Sequence, residues 1–348
     1  MSSISDDYDY VVGVDTHTRT HQYAILAAAT ATVVAGPEKF AVTAAGFVKV
    51  IAWIARHTSG GRVLAAVEGT NSYGASLAAA LTAAQIPLTE ARPASKKARR
   101  GVGKTDSLDA VRAARSVLSL ERGELTNPRQ GAARADLQVL LIIRRQTTKE
   151  KTSKVNALNA IVRITGLLAD TRAKLTMRQI RGIATGTLPV AGSPVTTGQA
   201  AALARDILDC QRALTANNTQ LRTLVARWRP ELLALPGVGP VTAAQILCAW
   251  SHPGRFASDA HFASLAGVSP VPIGSGNSLV YRLNYGGDRQ LNSALHTIML
   301  TRKRCDPRTQ AYIAKRTADG KTPRAINRLL KRYIAREIYK LLEHPTTT

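Results

Sequence analysis

Four carboxylates offer the chemistry in this sequence. Asp15 ends the run VVGVD, Glu68 ends RVLAAVE, and Asp106 and Asp109 stand three apart in KTDSLDAVRAAR. The first two close apolar, β-like runs. The last two open a stretch of helical spacing, where positions three apart share a face. Brought together at one sheet edge, four carboxylates repel unless a hard cation lies between them, and Mg²⁺ takes oxygen ligands of this kind. Such a site serves metal-assisted phosphodiester chemistry. Each acid also has an ordinary reading. Asp15 could cap a turn, Glu68 could be a surface acid, and Asp106 could cap a helix with Asp109 in its favoured first turn. His17 and His21 follow Asp15 closely, but imidazole ligation of Mg²⁺ is unusual, so they stay outside the set.

The elements that must position these acids are read from periodicity. Residues 8–45 alternate in a β-like way between short polar turns, which predicts a three-stranded meander. Residues 46–58 have helical spacing, 62–69 read as a strand, 73–84 as an Ala/Leu helix and 86–91 as a short strand. Three strands, then helix, strand, helix, strand and helix, is the order of an α/β RNase H-like domain, expected over residues 1–128. Next to it, Lys96, Lys97, Arg99, Arg100 and Lys104 form a basic stretch broken by Gly101. It would hold phosphates beside the acids or be a solvated loop, as charge runs commonly are.

The remainder reads as helical. Residues 134–175 carry one apolar stripe, the Gly/Pro/Thr-rich 185–198 reads as a loop, and a second long helix covers 199–228. This predicts an antiparallel helical hairpin or coiled-coil arm within a central segment, 129–229, for oligomerisation or for gripping nucleic acid. An all-α C-terminal domain is expected over 230–348. It opens with LPGVGP, a helix-hairpin-helix signature in which Gly237 and Gly239 allow a tight turn whose backbone N–H groups can take a DNA phosphate. An ordinary helix corner is the competing reading. Two helical parts then flank a Gly/Ser-rich loop at 267–287. The basic tail 302–340, with Tyr312 and Tyr333 interleaved, reads as a further phosphate-facing surface.

Composition fits a polyanion partner. Of 348 residues, 47 are Lys or Arg against 23 Asp or Glu, a net charge of +24. The Arg and Ala bias of a GC-rich genome would explain Arg over Lys but not the deficit of acids, so nucleic acid is the expected partner. Aromatics are only 5%, leaving few base-stacking platforms. Cys210, Cys248 and Cys305 are scattered with no CxxC pair, which indicates neither a zinc site nor a disulfide framework. The polar, acidic start argues against a signal peptide, and no run of about 18 apolar residues reads as a membrane span. A cytoplasmic, nucleoid-associated protein is expected.

The motifs GVDTH, AVEGTNSYG, KTDSLDAVRAAR and LPGVGPVTA, followed by a loop containing Ser275-Gly276, occur in an order that resembles one family along nearly the whole chain. The chain resembles transposases of the insertion-sequence "one-ten" family, DEDD transposases that act as bridge-RNA-guided DNA recombinases. The resemblance implies that Asp15, Glu68, Asp106 and Asp109 are the DEDD carboxylates holding Mg²⁺. It implies that Ser275 is the nucleophile that joins DNA through a phosphoserine. It further implies element-end and target DNA, a noncoding bridge RNA and a homodimer or homotetramer as partners. Where family members often carry a second Gly or a basic residue after Ser-Gly, this chain has Asn277 and Ser278, so Ser278 competes with Ser275, and Ser269 more remotely. Arg282 and Arg289 lie near enough in sequence to neutralise the phosphate, or sit on a solvated face.

Two other readings use the same residues. A structure-specific nuclease of the Holliday-junction type would need the four acids and water but no serine. A non-catalytic nucleic-acid-binding protein would use the charge alone.

Overall fold

The computed structural model describes residues 3–91, 106–168, 170, 172–269, 271–273, 280–282, 284 and 286–344, and it groups them into two compact units. The first comprises residues 1–130 together with 250–261, and the second 131–249 and 262–348.

In the first unit a short helix, α1 (Ile4–Asp7), precedes the strands β1 (Tyr10–Thr16), β2 (Thr20–Ala27) and β3 (Val33–Ala41). These pair antiparallel as the expected meander, with Val11 opposite Leu26 and Asp15 opposite Gln22. Then come α2 (Ala44–Thr58), β4 (Val63–Val67), α3 (Ala75–Ala83), β5 (Leu88–Glu90) and α4 (Asp106–Leu118). β4 and β5 add parallel on the far side of β1, giving the order β3-β2-β1-β4-β5. A mixed sheet with helices on both faces agrees with an RNase H-like domain.

Alternation along β1 divides the core. Val12 and Val14 pack with Tyr23, Ile25, Val67 and α2 and α3 on one face. Val11 packs with Ala24, Leu26, Leu64, Ala66 and the Ala110–Val117 side of α4 on the other. Gly13 lies under α4, and a Cβ there would stand 1.9 Å from the Ala110 carbonyl oxygen, so only glycine permits this approach. The segment 250–261 returns to this unit. Ser251 Oγ accepts from Gln130 N and donates to its carbonyl, and the buried Arg255 donates through Nε to Asn127 O at 2.9 Å.

In the second unit α5 (Ala132–Thr165) ends at Gly166 in the left-handed region, φ 61°. α6 (Met177–Thr185) and α7 (Pro194–Trp228) follow. α5 and α7 pack antiparallel, with Asn217 Nδ2 donating to Leu140 O, Arg144 to Leu214 O, and Lys154 ion-paired to Asp206. The expected loop at 185–198 is shorter, because Ser193 caps α7 and Pro194 occupies its first turn, where a missing N–H costs nothing. α5 itself already ends at Thr165, and α6 fills the stretch between the helix expected to about 175 and the loop expected from 185. Its N-terminus is fixed by a reciprocal Thr176–Gln179 capping box.

Beyond lie α8 (Glu231–Ala234), α9 (Pro240–Trp250) and α10 (Asp259–Leu265), then β6 (Val271–Ile273) and β7 (Val280–Arg282), and finally α11 (Arg289–Cys305), α12 (Pro307–Ala318) and α13 (Pro323–Glu343). The all-α expectation is corrected here: β6 and β7 pair antiparallel inside the stretch expected to be loop. Among the described residues, no helix is long and apolar enough to cross a membrane.

Candidate functional site

Asp15 and Glu68 are placed by strand register. Val14 pairs with Val67 across the parallel β1 and β4, and Glu68 N–H donates to Val14 O at 3.1 Å, so the two acids end neighbouring strands one step past that pair. Val11, Gly13 and Asp15 alternate onto the α4 side, and Asp15 is 7% exposed. Thr16 Oγ1 donates to Glu68 O at 3.1 Å, tying the two strand ends. The chain then turns sharply through Gly69, at φ 60°, and Gly74, where a Cβ would lie 3.0 Å from Glu68 O.

α4 supplies the other two acids. Ser3, beside the start of β1, bridges to Glu121 just past the end of α4, so the helix runs antiparallel to β1. Its N-terminus therefore lies toward the end of β1 that carries Asp15. Asp109 precedes Ala110, the residue that closes on Gly13, and its carboxylate pairs with Arg112 at 2.8 Å. Asp106 is the first residue of α4, and its side chain lies outside what the structure describes.

Two histidines brace Asp15. His17 Nε2 stands 3.0 Å from Asp15 Oδ2, and the His17 backbone N–H donates to His21 Nδ1 at 3.2 Å. His21 is fully buried and stacks on Phe47, with centroids 6.3 Å apart. Burial pushes its pKa below the usual imidazole value, which keeps the ring neutral and able to accept.

Among the described residues, no three His, Cys, Asp or Glu side chains form a group that could hold a metal ion. Asp15, Glu68 and Asp109 are all among the described residues and are not gathered into such a group, while the Asp106 side chain lies outside them. The donor chemistry nonetheless fits a hard divalent cation. Carboxylates end two adjacent strands, and three nearby buried oxygens, Gln22 Oε1, Thr70 Oγ1 and Asn71 Oδ1, have no hydrogen-bond partner. Gln22 faces Asp15 across β1 and β2, while Thr70 and Asn71 follow Glu68. Buried polar atoms are rarely left unpaired.

Lys96, Lys97, Arg99, Arg100, Lys104, Ser275 and its competitor Ser278 lie outside the described residues. β6 and β7 bracket residues 274–279. The segments flanking the β6–β7 pair are tied down: Asn292 Nδ2 donates to Ala266 O at 2.7 Å, Asn284 Nδ2 to Ser264 O at 3.1 Å, and Lys331 Nζ to Asn292 Oδ1 at 3.2 Å. Ser269 is half-buried just before β6. Arg282 ends β7, and Arg289 is exposed at the start of α11.

Gly237 has φ 77°, and a Cβ there would meet Ile298 O at 3.0 Å, so this turn requires glycine for packing. The Gly239 amide donates to Thr242 Oγ1 at 3.0 Å and the Val238 amide to Leu235 O, so both are engaged within the turn. Arg302 locks the same turn, through Nε to Pro236 O at 2.8 Å and Nη1 to Glu337 at 2.6 Å. Tyr312 and Tyr333 pack edge-on against each other at 5.4 Å.

A second candidate surface lies in the second unit, and its residues escaped the sequence reading. A groove of ≈ 650 Å³ runs along α5, with Arg145, Lys149, Ser153 and Asn156 exposed at helical spacing, and is closed by Gln245 of α9 and Gln290 of α11. Gln245 Nε2 donates to Gln290 Oε1 at 3.0 Å. Arg144, also on this face, turns inward to Leu214 O and Asn217 Oδ1.

A mixed five-stranded sheet with helices on both faces is consistent with an RNase H-like domain of the DEDD type, and comparison with known proteins agrees. A DEDD transposase model of the IS110 type matches residues 12–166. A second model, described as transposase IS116/IS110/IS902 family, matches residues 229–314. The chain is also similar to the insertion element IS110 uncharacterized 43.6 kDa protein of Streptomyces coelicolor, 34% identical over 134 residues. That stretch is 35% of this chain and 33% of the relative, so the chain spans about a third of that protein's length. The chain belongs to the IS110 family of transposases.

Proposed function

We propose that the protein is an RNA-guided DNA transposase that cuts and rejoins DNA through a covalent phosphoserine. The observation that carries this reading is the register of Asp15 and Glu68 on adjacent strand ends, with the N-terminus of α4 directed to the same end. Asp15, Glu68, Asp106 and Asp109 would hold Mg²⁺ there. When bound, Mg²⁺ neutralises charge on the scissile phosphate and eases deprotonation of an attacking hydroxyl. His17 holds one oxygen of Asp15, so that carboxylate keeps one orientation.

Ser275 Oγ attacks the phosphorus. The Oγ–P bond forms as the P–O3′ bond breaks, and the serine proton ends on the released 3′ oxygen. The phosphoserine conserves the phosphodiester bond energy, so a DNA hydroxyl can reverse the step without ATP. Asn292, Asn284 and Lys331 tie together the described segments on either side of β6 and β7, between which Ser275 falls in sequence.

The α5 groove supports a nucleic-acid partner, because its cations and hydroxyls suit a phosphodiester backbone. Guidance by a noncoding RNA, element-end and target DNA as substrates, and phosphate contacts from Lys96 to Lys104, Arg282 and Arg289 complete the proposal. The exposed Val139, Ile142 and Ile143 on α5 support assembly as a homodimer or homotetramer. A Holliday-junction-type nuclease would use the same acids with water.

Strand exchange between element-end and target DNA tests the reading. Wild type should exchange strands only with Mg²⁺, and Asp15→Asn and Ser275→Ala should both be inactive. Exchange that survives Ser275→Ala would overturn the serine step.

A further inference from the structure

Gln22 has no role in the carboxylate set, yet it occupies the position beside it. It lies in β2 directly opposite Asp15, and opposed residues of an antiparallel pair project from the same face. Lys39 of β3, Gln22, Asp15 and Glu68 therefore form one row across the sheet, on the side covered by α4. Beyond Gln22 toward the end of β2, that face is apolar, Ala24 and Leu26.

Gln22 is 6% exposed, and its Oε1 is buried without a hydrogen-bond partner. A carboxamide oxygen is satisfied by a proton donor or by a cation. Its neighbour in register is the acid Asp15, and Lys39 on the other side is exposed to solvent. A buried acceptor beside a carboxylate, at a strand end built from oxygen atoms, is the environment that a hydrated divalent cation completes.

We infer that Gln22 is a further oxygen donor to the cation site, its Oε1 facing the divalent ion directly or through one of the ion's waters. The inference rests on the reading that Asp15 and its partner acids hold that ion. Gln22 supplies an oxygen without adding charge, so the site gains a donor without further repulsion among carboxylates.

The test is Mn²⁺ binding to the full chain, followed by the electron paramagnetic resonance of free Mn²⁺, with no nucleic acid and no turnover. The proteins are wild type, Gln22→Met, Gln22→Glu and Asp15→Asn, each checked for folding by circular dichroism and thermal melting without metal. Gln22→Met keeps the volume and removes the oxygen. It should weaken Mn²⁺ by about tenfold, as loss of a supporting group at a metal site does. It should melt no lower than wild type, since it removes a buried unpaired oxygen. Gln22→Glu should bind Mn²⁺ at least as tightly as wild type. Wild-type affinity in Gln22→Met, with binding lost in Asp15→Asn, would overturn the role of Gln22 and leave the acid site standing. Binding weaker in Gln22→Glu than in Gln22→Met would also overturn it, by placing the amide nitrogen toward Asp15. Unchanged binding in Asp15→Asn would remove the cation reading itself.

Discussion

The acidic strand ends of the first unit and the basic groove of the second are built by opposite means. Asp15 is buried, its register set by two neighbouring strands, with one oxygen held by His17 and α4 pressed onto Gly13 two residues before it. Arg145 and Lys149 are exposed on one helical face, at the ends of long flexible stems. A group that must meet a reacting phosphate needs geometry fixed by backbone and packing, because misplacement by about an ångström is costly. A surface that holds a charged backbone needs density of charge, and each member contributes modestly. Arg144 marks the boundary between the two modes. It lies on the groove face but spends its donors on Leu214 and Asn217, joining α5 to α7.

The contrast breaks most sharply at Asp15. Asp15→Asn should reduce strand exchange to background while nucleic-acid binding stays within about twofold, measured by exchange and by filter binding. Equal loss of both would mean that the acid edge holds substrate and does not transform it.

Next in size is Gly13→Ala. Its Cβ would collide with the backbone of Ala110, forcing α4 off the sheet. The first unit should lose about 3 kcal/mol in denaturant unfolding, and chemistry should fall with it. Gly237→Ala, in the second unit, adds a left-handed strain of about 1–2 kcal/mol and a contact that a small shift relieves, so its loss should be smaller.

In the groove, Arg145→Ala with Lys149→Ala should leave folding unchanged and lower the slope of log affinity against log salt by about two. An unchanged slope would remove the groove from the interface.

The smallest effect separates the histidines from the acids. His21 is neutral in the fold because burial lowers its pKa, so acid favours the unfolded chain, where the imidazole protonates freely. Stability of the first unit should be insensitive to His21 above about pH 7 and fall as pH drops below about 6.5. His21→Asn should flatten that part of the profile in thermal melts.

Much of the first unit was legible because period-2 alternation is local. Val12, Val14, Tyr23 and Ile25 announced strands, and the acids ended them. Gln22 carried the same signal: it is a buried polar residue two positions before Ala24 and four before Leu26 on the same face of β2. It becomes visible only when β2 is set in register against Asp15. The expected stripe to about 175 overran the end of α5 at Gly166, and α6 after it went unread although Thr176 and Gln179 form a capping box. The Ser193-Pro194 start of α7 was also in the sequence, masked by the surrounding Gly, Pro and Thr. The groove was not legible, because Gln245 and Gln290 reach α5 only through the tertiary fold. Gly237 was singled out for phosphate, whereas its φ and its closeness to Ile298 give it a packing role.

The most direct test of the account is a covalent-adduct assay. Wild type, Ser275→Ala and Asp15→Asn are incubated with Mg²⁺, the noncoding RNA flanking the gene and labelled element-end DNA, then resolved on a denaturing gel. The account predicts a DNA-linked protein band in wild type that is absent from both variants. Cleaved DNA without an adduct, still formed by Ser275→Ala, would contradict it and leave a nuclease that uses water at the same acids.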